Sequence, residues 1–301
     1  MLVHIKFKEI FVRRDPIHVW IFSIFAVFSV FGFCKLINYG ERVIEVPKTR
    51  AAELQPREGS LFCFVLTDEK FHKTRIPALA QTWLPSCDAY HIYSNSVKDL
   101  PDLPVHELFK NLPESYWRLF WKSRLALHYS FANVSSNFDW YLKSDDDAYF
   151  FVEKLKDYLR KFDPNKPHLF GFRLRRRFPK GYVNGGGGYI LSREAIKQFA
   201  SKAFNDSEIC PFYEWEDLGI SRCLSNLGIS PEDTRTFNNK QRFLAFLPDE
   251  HFYGTIPNEW MFDKLEFSGF DIYHKELISF HHLKPQEIRL IHGLTTRLNR
   301  D

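Results

Sequence analysis

Ser144-Asp145-Asp146-Asp147 sets three carboxylates in succession, directly after the apolar run Trp140-Tyr141-Leu142. Adjacent carboxylates repel one another, so folding them together calls for a compensating cation. Hard divalent cations take oxygen ligands. Aspartates at i and i+2 beyond a strand converge on one ion through a turn. Asp145 and Asp147 are therefore ligand candidates, and Asp146 is left for a sugar or ribose hydroxyl. The alternative is a solvated acidic turn with Asp147 capping the next helix.

Three further groups bear on the triplet. The glycine run Gly185-Gly186-Gly187-Gly188 stands immediately before the apolar Tyr189-Ile190-Leu191. Glycine permits positive φ and close approach of backbone to a ligand, which makes Gly186 and Gly187 candidates for a substrate site. Glu216-Asp217 opens a helical pattern with Ile220, Cys223 and Leu224 on one face and Gly228 past its end. Acids in a first turn often serve only the helix dipole, but a carboxylate there also suits a base. His281-His282 follows Ile278-Ser279-Phe280. A histidine in such a run is usually a core residue; beside an aspartate pair it is a candidate third ligand. A mixed Asp/Asp/His set suits Mn²⁺ better than Mg²⁺. The basic cluster Arg173, Arg175, Arg176, Arg177 either faces a diphosphate or forms a solvated loop.

The elements that must position these residues alternate between strands and helices. Strands are expected at 61–66, 89–93, 140–142, 169–172 and 189–191, and helices at 76–83, 114–131, 152–162 and from Arg193, capped by Ser192. Such alternation predicts an α/β domain with a parallel sheet, whose ligand site lies at the carboxyl ends of strands. The last seventy residues are expected to be loops and short strands.

Composition and the amino terminus set the compartment. Net charge is +4, and no basic run alternates with aromatics, which argues against nucleic acid as a partner. Residues 17–34 are nearly all apolar and follow Lys6, Lys8, Arg13 and Arg14. They read as an uncleaved membrane anchor over 17–37, with a cytosolic tail at 1–16, a stem at 38–58 and a lumenal domain at 59–301. Asn133-Val134-Ser135 and Asn205-Asp206-Ser207 have the form of N-glycosylation acceptors. Four cysteines follow the anchor, and spacing favours Cys63–Cys87 and Cys210–Cys223 as disulfides, with four buried thiols as the alternative.

As an ordered set, Cys63-Phe64-Val65-Leu66-Thr67, Gln81-Thr82-Trp83, Asp139 to Asp147, Gly185 to Ser192, Glu216 to Leu224 and Ser279-Phe280-His281 resemble the inverting β1,3-glycosyltransferase family. The core 1 β1,3-galactosyltransferases, which act on O-linked N-acetylgalactosamine, are the most similar members. The resemblance implies a GT-A (Rossmann-like) fold, a UDP-galactose donor, an O-GalNAc glycoprotein acceptor, Mn²⁺, and a Golgi type II membrane protein, with homodimerisation left open. It places the metal on Asp145, Asp147 and His281 and the catalytic base on Asp217. It places nucleotide-sugar contacts at Thr67, Arg75, Ser94, Asp146 and His282, and the acceptor or sugar site at Gly186, Gly187, Glu216 and Trp260. Two alternatives remain: another β1,3-transferase of fringe-like or N-acetylglucosaminyl type, and a chaperone-like relative without the acidic motif. The chain departs from the family pattern at His282, where a tyrosine is common, and at Ser268–His274, which lacks a cysteine pair.

Overall fold

Leu61 to Leu66 are all buried, so the strand they form is covered on both faces, as its unbroken apolar run predicts. The structure, a computed structural model, describes residues 44–112, 118–175 and 178–297. Its central sheet comprises β1 (Glu58–Leu66), β2 (Ala89–Tyr93), β3 (Val105–His106), β4 (Asn137–Asp145), β6 (Leu169–Gly171) and β9 (Tyr189–Ser192), in the order β3-β2-β1-β4-β9-β6. Between these in sequence lie β5 (Tyr149–Phe150), β7 (Arg173–Leu174) and β8 (Tyr182–Val183); β10 (Phe243–Leu244) and β11 (Ser279–Phe280) follow. The described residues from Glu45 onward form one unit.

The parallel sheet expected from sequence is half right. β3, β2, β1 and β4 run parallel, but β9 is antiparallel to both β4 and β6. Parallel neighbours need a crossover, usually helical. The link from β6 to β9 instead carries the β7–β8 pair, and the chain returns antiparallel.

The helices keep their expected places with shorter bounds: Arg75–Ala80, Leu119–Tyr129, Val152–Leu159 and Arg193–Gln198. Ser192 caps the last of these, its side chain accepting from the Ala195 amide at 3.2 Å. Trp121, Leu125 and Tyr129 mark the second helix, and it continues into a π turn at Ser130–Val134. The carboxy-terminal region holds a helix that the sequence reading missed, Pro285–Arg297, which buries Ile288.

Both expected disulfides are present, Cys63–Cys87 and Cys210–Cys223. The first ties β1 to the start of β2; the second ties the Glu216–Asn226 helix to the preceding loop. A crosslink over 13 residues contributes about 3 kcal/mol on the chain-entropy model.

Ordered structure begins before residue 59. Within the expected stem, Arg50–Glu53 is helical, Ala52 and Thr49 are buried, and the Thr49 amide donates to Val105 O at 2.9 Å. The expected anchor, residues 17–37, lies outside the described residues. No described helix is long and apolar enough to cross a membrane.

A candidate active site at the carboxyl ends of β1 and β4

β1 ends at Leu66 and β4 at Asp145, paired in register, so Thr67 and the acidic triplet leave the sheet side by side. Their neighbour is a small sheet in which β11 pairs antiparallel with β5, Phe280 opposite Tyr149. That pairing brings His281 back to Asp147, and the Leu283 amide closes the junction by donating to Asp147 O at 2.9 Å. Trp83 holds the loop beyond the triplet, donating from Nε1 to Ala148 O at 3.1 Å. The helix beyond it starts at Val152, with Phe151 before it, so Asp147 is not a helix cap.

Between these elements lies a cleft of ≈360 Å³. Its walls include Thr67, Arg75, Asp145, Asp146, Asp147, Gly185, Gly186, Glu216, Asp217, His281 and His282, eleven of the sequence-derived candidates or their neighbours. Gly187 is not in the wall. Its amide donates to Asn184 Oδ1 at 2.7 Å, and a Cβ there would meet Ala245.

Asp147, His281 and His282 each present a ligand atom within 4.8 Å of the others. His281 Nε2 lies 3.2 Å from Asp147 Oδ1, and its Nδ1 meets Ala245 O at 2.9 Å. A backbone carbonyl on one ring nitrogen fixes the tautomer and frees the other nitrogen for a metal. His282 sits at φ 59°, a left-handed backbone that turns its ring beside His281, centroids 3.8 Å apart. Burial alone raises a carboxyl, but the His281 contact and the Arg75 charge hold Asp147 below its usual range. One carboxylate and two imidazoles suit a divalent transition ion.

Asp145, expected as a ligand, stands outside that group. Its Oδ1 accepts from Lys143 Nζ at 2.6 Å. Lys143 is fully buried in β4; it also donates to Gly185 O at 3.1 Å and lies 4.0 Å from Glu216. Burial would discharge this lysine, but the charges of Asp145 and Glu216 outweigh it and keep it protonated. The sequence reading gave Lys143 no role, although a lysine inside an apolar strand was the available signal.

Asp146 is locked in place, bonded to Thr67 Oγ1 and to Arg75 Nη1, each at 2.6 Å. Burial, only partly opposed by those partners, pushes its carboxyl to about 6. Arg75 reaches Asp147 at 3.4 Å and lies over the Phe71 ring. Lys122, also unremarked in the sequence, lines the cleft and pairs with Asp68 at 2.6 Å.

Asp217 stands at the cleft in the first turn of its helix, its Oδ1 accepting from the Leu218 amide at 2.8 Å. Burial, and then the adjacent Glu216 charge, raise it to about 7. A carboxyl tuned that far is suited to general-base work near neutral pH. Glu216 is buried and takes the Tyr189 hydroxyl at 3.1 Å.

The glycine run makes room for protein side chains. A Cβ on Gly186 would collide with the His281 ring, and one on Gly185 with the Glu216 carboxylate. The close approach expected for substrate is made by the histidine and the glutamate themselves.

Two expected contacts lie elsewhere. Ser94 is buried away from the cleft, its hydroxyl 2.8 Å from His72 Nε2, which a serine needs once burial removes it from water. Trp260 lines a separate cavity with Leu174, Tyr182, Phe246 and Glu259. Arg173 is a structural residue, bound through two nitrogens to Asp263 at 2.7 and 2.6 Å; Arg176 and Arg177 lie outside the described residues. Of the acceptor asparagines, Asn205 is exposed, while Asn133 is half-buried in the π turn.

The Fringe-like family matches residues 57–288, and the chain belongs to it. A Xenopus laevis relative, glycoprotein-N-acetylgalactosamine 3-beta-galactosyltransferase 1, is 26% identical over 76% of this chain and 64% of its own. A Homo sapiens beta-1,3-glucosyltransferase is 28% identical over 58% of this chain and 34% of its own. The chain therefore spans less than two thirds of these relatives. Among solved structures, the galactosyltransferase LgtC with donor and acceptor sugar analogues aligns over 79% of this chain and 98% of its own, at 12% identity and TM-score 0.45.

Proposed function

We propose that the chain is an inverting β1,3-glycosyltransferase of GT-A type that transfers galactose from UDP-galactose to O-linked N-acetylgalactosamine on glycoproteins. The observation that carries this is one cleft holding both the Asp147, His281 and His282 group and the raised carboxyl of Asp217. The galactosyltransferase relative supports the sugar and the acceptor. We also propose Mn²⁺ as the cation and a Golgi type II anchor at residues 17–37.

In this reading Asp147, His281 and His282 would hold the cation, whose positive charge would offset that of a diphosphate leaving group. Arg75 and Lys122 add fixed positive charge along the wall. Asp146, held by Thr67 and Arg75, presents a fixed edge to a ribose or sugar hydroxyl. Asp217 takes the proton from the acceptor hydroxyl as that oxygen attacks the anomeric carbon. Glu216, 4.0 Å from Lys143, lies beside Asp217 and helps raise its basicity. Lys143 anchors Asp145, Gly185 and Glu216 together, so donor and base sides share one support.

The test offers UDP-galactose, UDP-glucose and UDP-N-acetylglucosamine to the chain with a GalNAc-bearing peptide and Mn²⁺. A β1,3-linked galactose product supports the proposal. Transfer of another sugar moves the assignment to a different β1,3-transferase, a reading favoured for glucose by the human relative. Absence of any transfer, with UDP binding unaffected by the cation, would leave the chaperone-like reading.

A further inference from the structure

Three non-glycine residues among those described hold a left-handed backbone: Asp99, Asn239 and His282. That conformation costs an L-residue roughly 1–2 kcal/mol. At His282 it achieves a placement. φ 59° sets its ring beside that of His281, centroids 3.8 Å apart and planes tilted by 31°. A ring nitrogen of His282, a ring nitrogen of His281 and a carboxylate oxygen of Asp147 thereby come within 4.8 Å of one another. His282 is exposed at the cleft, so burial in the core does not account for its position.

The donors on offer are of two kinds. The Ala245 carbonyl can only accept, so His281 Nδ1 donates across their 2.9 Å contact, and Nε2, facing Asp147, holds the lone pair of the neutral ring. The neighbouring carboxylates are engaged elsewhere. Asp146 Oδ2 and Oδ1 accept from Thr67 and Arg75 at 2.6 Å each, and Asp145 Oδ1 accepts from Lys143 at 2.6 Å. One carboxylate and two imidazoles make up the group, so nitrogen outnumbers oxygen among the residues that supply it.

That ratio bears on which ion is held. Mg²⁺ and Ca²⁺ take oxygen ligands. Imidazole suits Zn²⁺ and its neighbours, and the affinity of a given site rises from Mn²⁺ to Co²⁺. Every nitrogen-bearing site shares that order, so the order by itself identifies nothing. The discriminating quantity is how much of the preference depends on the second imidazole.

We propose that His282 is a metal-selecting ligand, whose imidazole gives the cleft most of its preference for Co²⁺ and Zn²⁺ over Mn²⁺ and Mg²⁺. This rests on the cation reading of the cleft and is independent of which sugar is transferred and to what acceptor. The experiment reads metal binding, not turnover. Mn²⁺ bound to the full chain is followed by electron paramagnetic resonance while Co²⁺, Zn²⁺ or Mg²⁺ is added, in the wild type and in His282→Asn, with the Co²⁺ absorption spectrum recorded alongside. In the wild type, Co²⁺ and Zn²⁺ are expected to displace Mn²⁺ well below the concentration of Mg²⁺ that does so. In His282→Asn the Co²⁺-to-Mn²⁺ affinity ratio is expected to fall about tenfold, and the visible Co²⁺ bands to shift as a nitrogen ligand is lost. An unchanged ratio and spectrum would overturn the proposal while leaving Asp147 and His281 as ligands. If none of these ions bound the wild type, or if His281→Ala bound them equally well, the cation reading would fail and the inference with it. Asparagine accepts the left-handed backbone; should that variant misfold, His282→Gly, free of backbone strain, decides.

Discussion

The cleft and the β2–β3 edge of the sheet bury polar side chains in opposite ways. At the cleft, Asp145, Asp146, Asp147, Glu216 and Asp217 crowd together, and the fold sets Lys143 and Arg75 among them. At that edge, His91 and His106 give up their charge and hydrogen-bond as neutral rings. Paired charge keeps carboxylates available for a cation or a proton; neutral rings provide only hydrogen bonds. The contrast separates a region of paired charge from a region of neutral, hydrogen-bonded rings.

The largest effect is expected at Asp217. Asp217→Asn should lower transfer by ~10²–10⁴-fold with UDP affinity kept, as read by turnover and titration. Wild-type turnover in this variant would remove Asp217 as the base. The same carboxyl predicts a rate rising with pH through about 7, since the base acts only when deprotonated.

Next comes the support beneath the acids. Removing one partner of a buried ion pair costs about 3–5 kcal/mol. Lys143→Met is therefore expected to destabilise the fold by that order in urea unfolding, whereas His91→Phe at the neutral pair should cost clearly less. Equal losses would erase the contrast between the two regions.

A smaller effect separates stability from activity. The folded Asp217 carboxyl stands near 7, above its usual 3.8, so its contribution to stability is present at low pH and lost as pH rises through about 7. Asp217→Asn should then be more stable than wild type at pH 8 by roughly 1–3 kcal/mol, allowing for partial relaxation. Thermal unfolding at pH 5 and pH 8 shows whether the gain grows with pH. Gly186→Ala offers a structural counterpart: its methyl group would displace His281 and weaken Mn²⁺ binding, read by electron paramagnetic resonance.

Much of this contrast was legible in the sequence, in uneven measure. The strands at 61–66 and 89–93, both disulfides, the Ser192 cap and the Asp217 helix start were readable because each rests on local pattern or spacing. The candidate ligand group differs from the expected one. Asp147 and His281 meet, but Lys143 draws Asp145 aside and a left-handed backbone swings His282 in; neither follows from types and spacing. Ser94 and Trp260 do not line the cleft, because which face of a loop or strand looks into it is decided by packing. The antiparallel β9 depends on what the β6–β9 link contains. The final helix carried a readable signal, Pro285 and Glu287 at its start with Ile288 and Ile291 beyond, masked by the aromatic loops before it.

The central claim is that one cleft holds a divalent cation and a nucleotide-sugar beside a raised base. Titration of UDP into the chain, with Mn²⁺ and then with excess chelator, tests it most directly. The account predicts saturable UDP binding that requires Mn²⁺ and that is weakened at least tenfold in Asp147→Ala and His281→Ala. UDP binding that is equal with and without the cation, or unchanged in both variants, would contradict it.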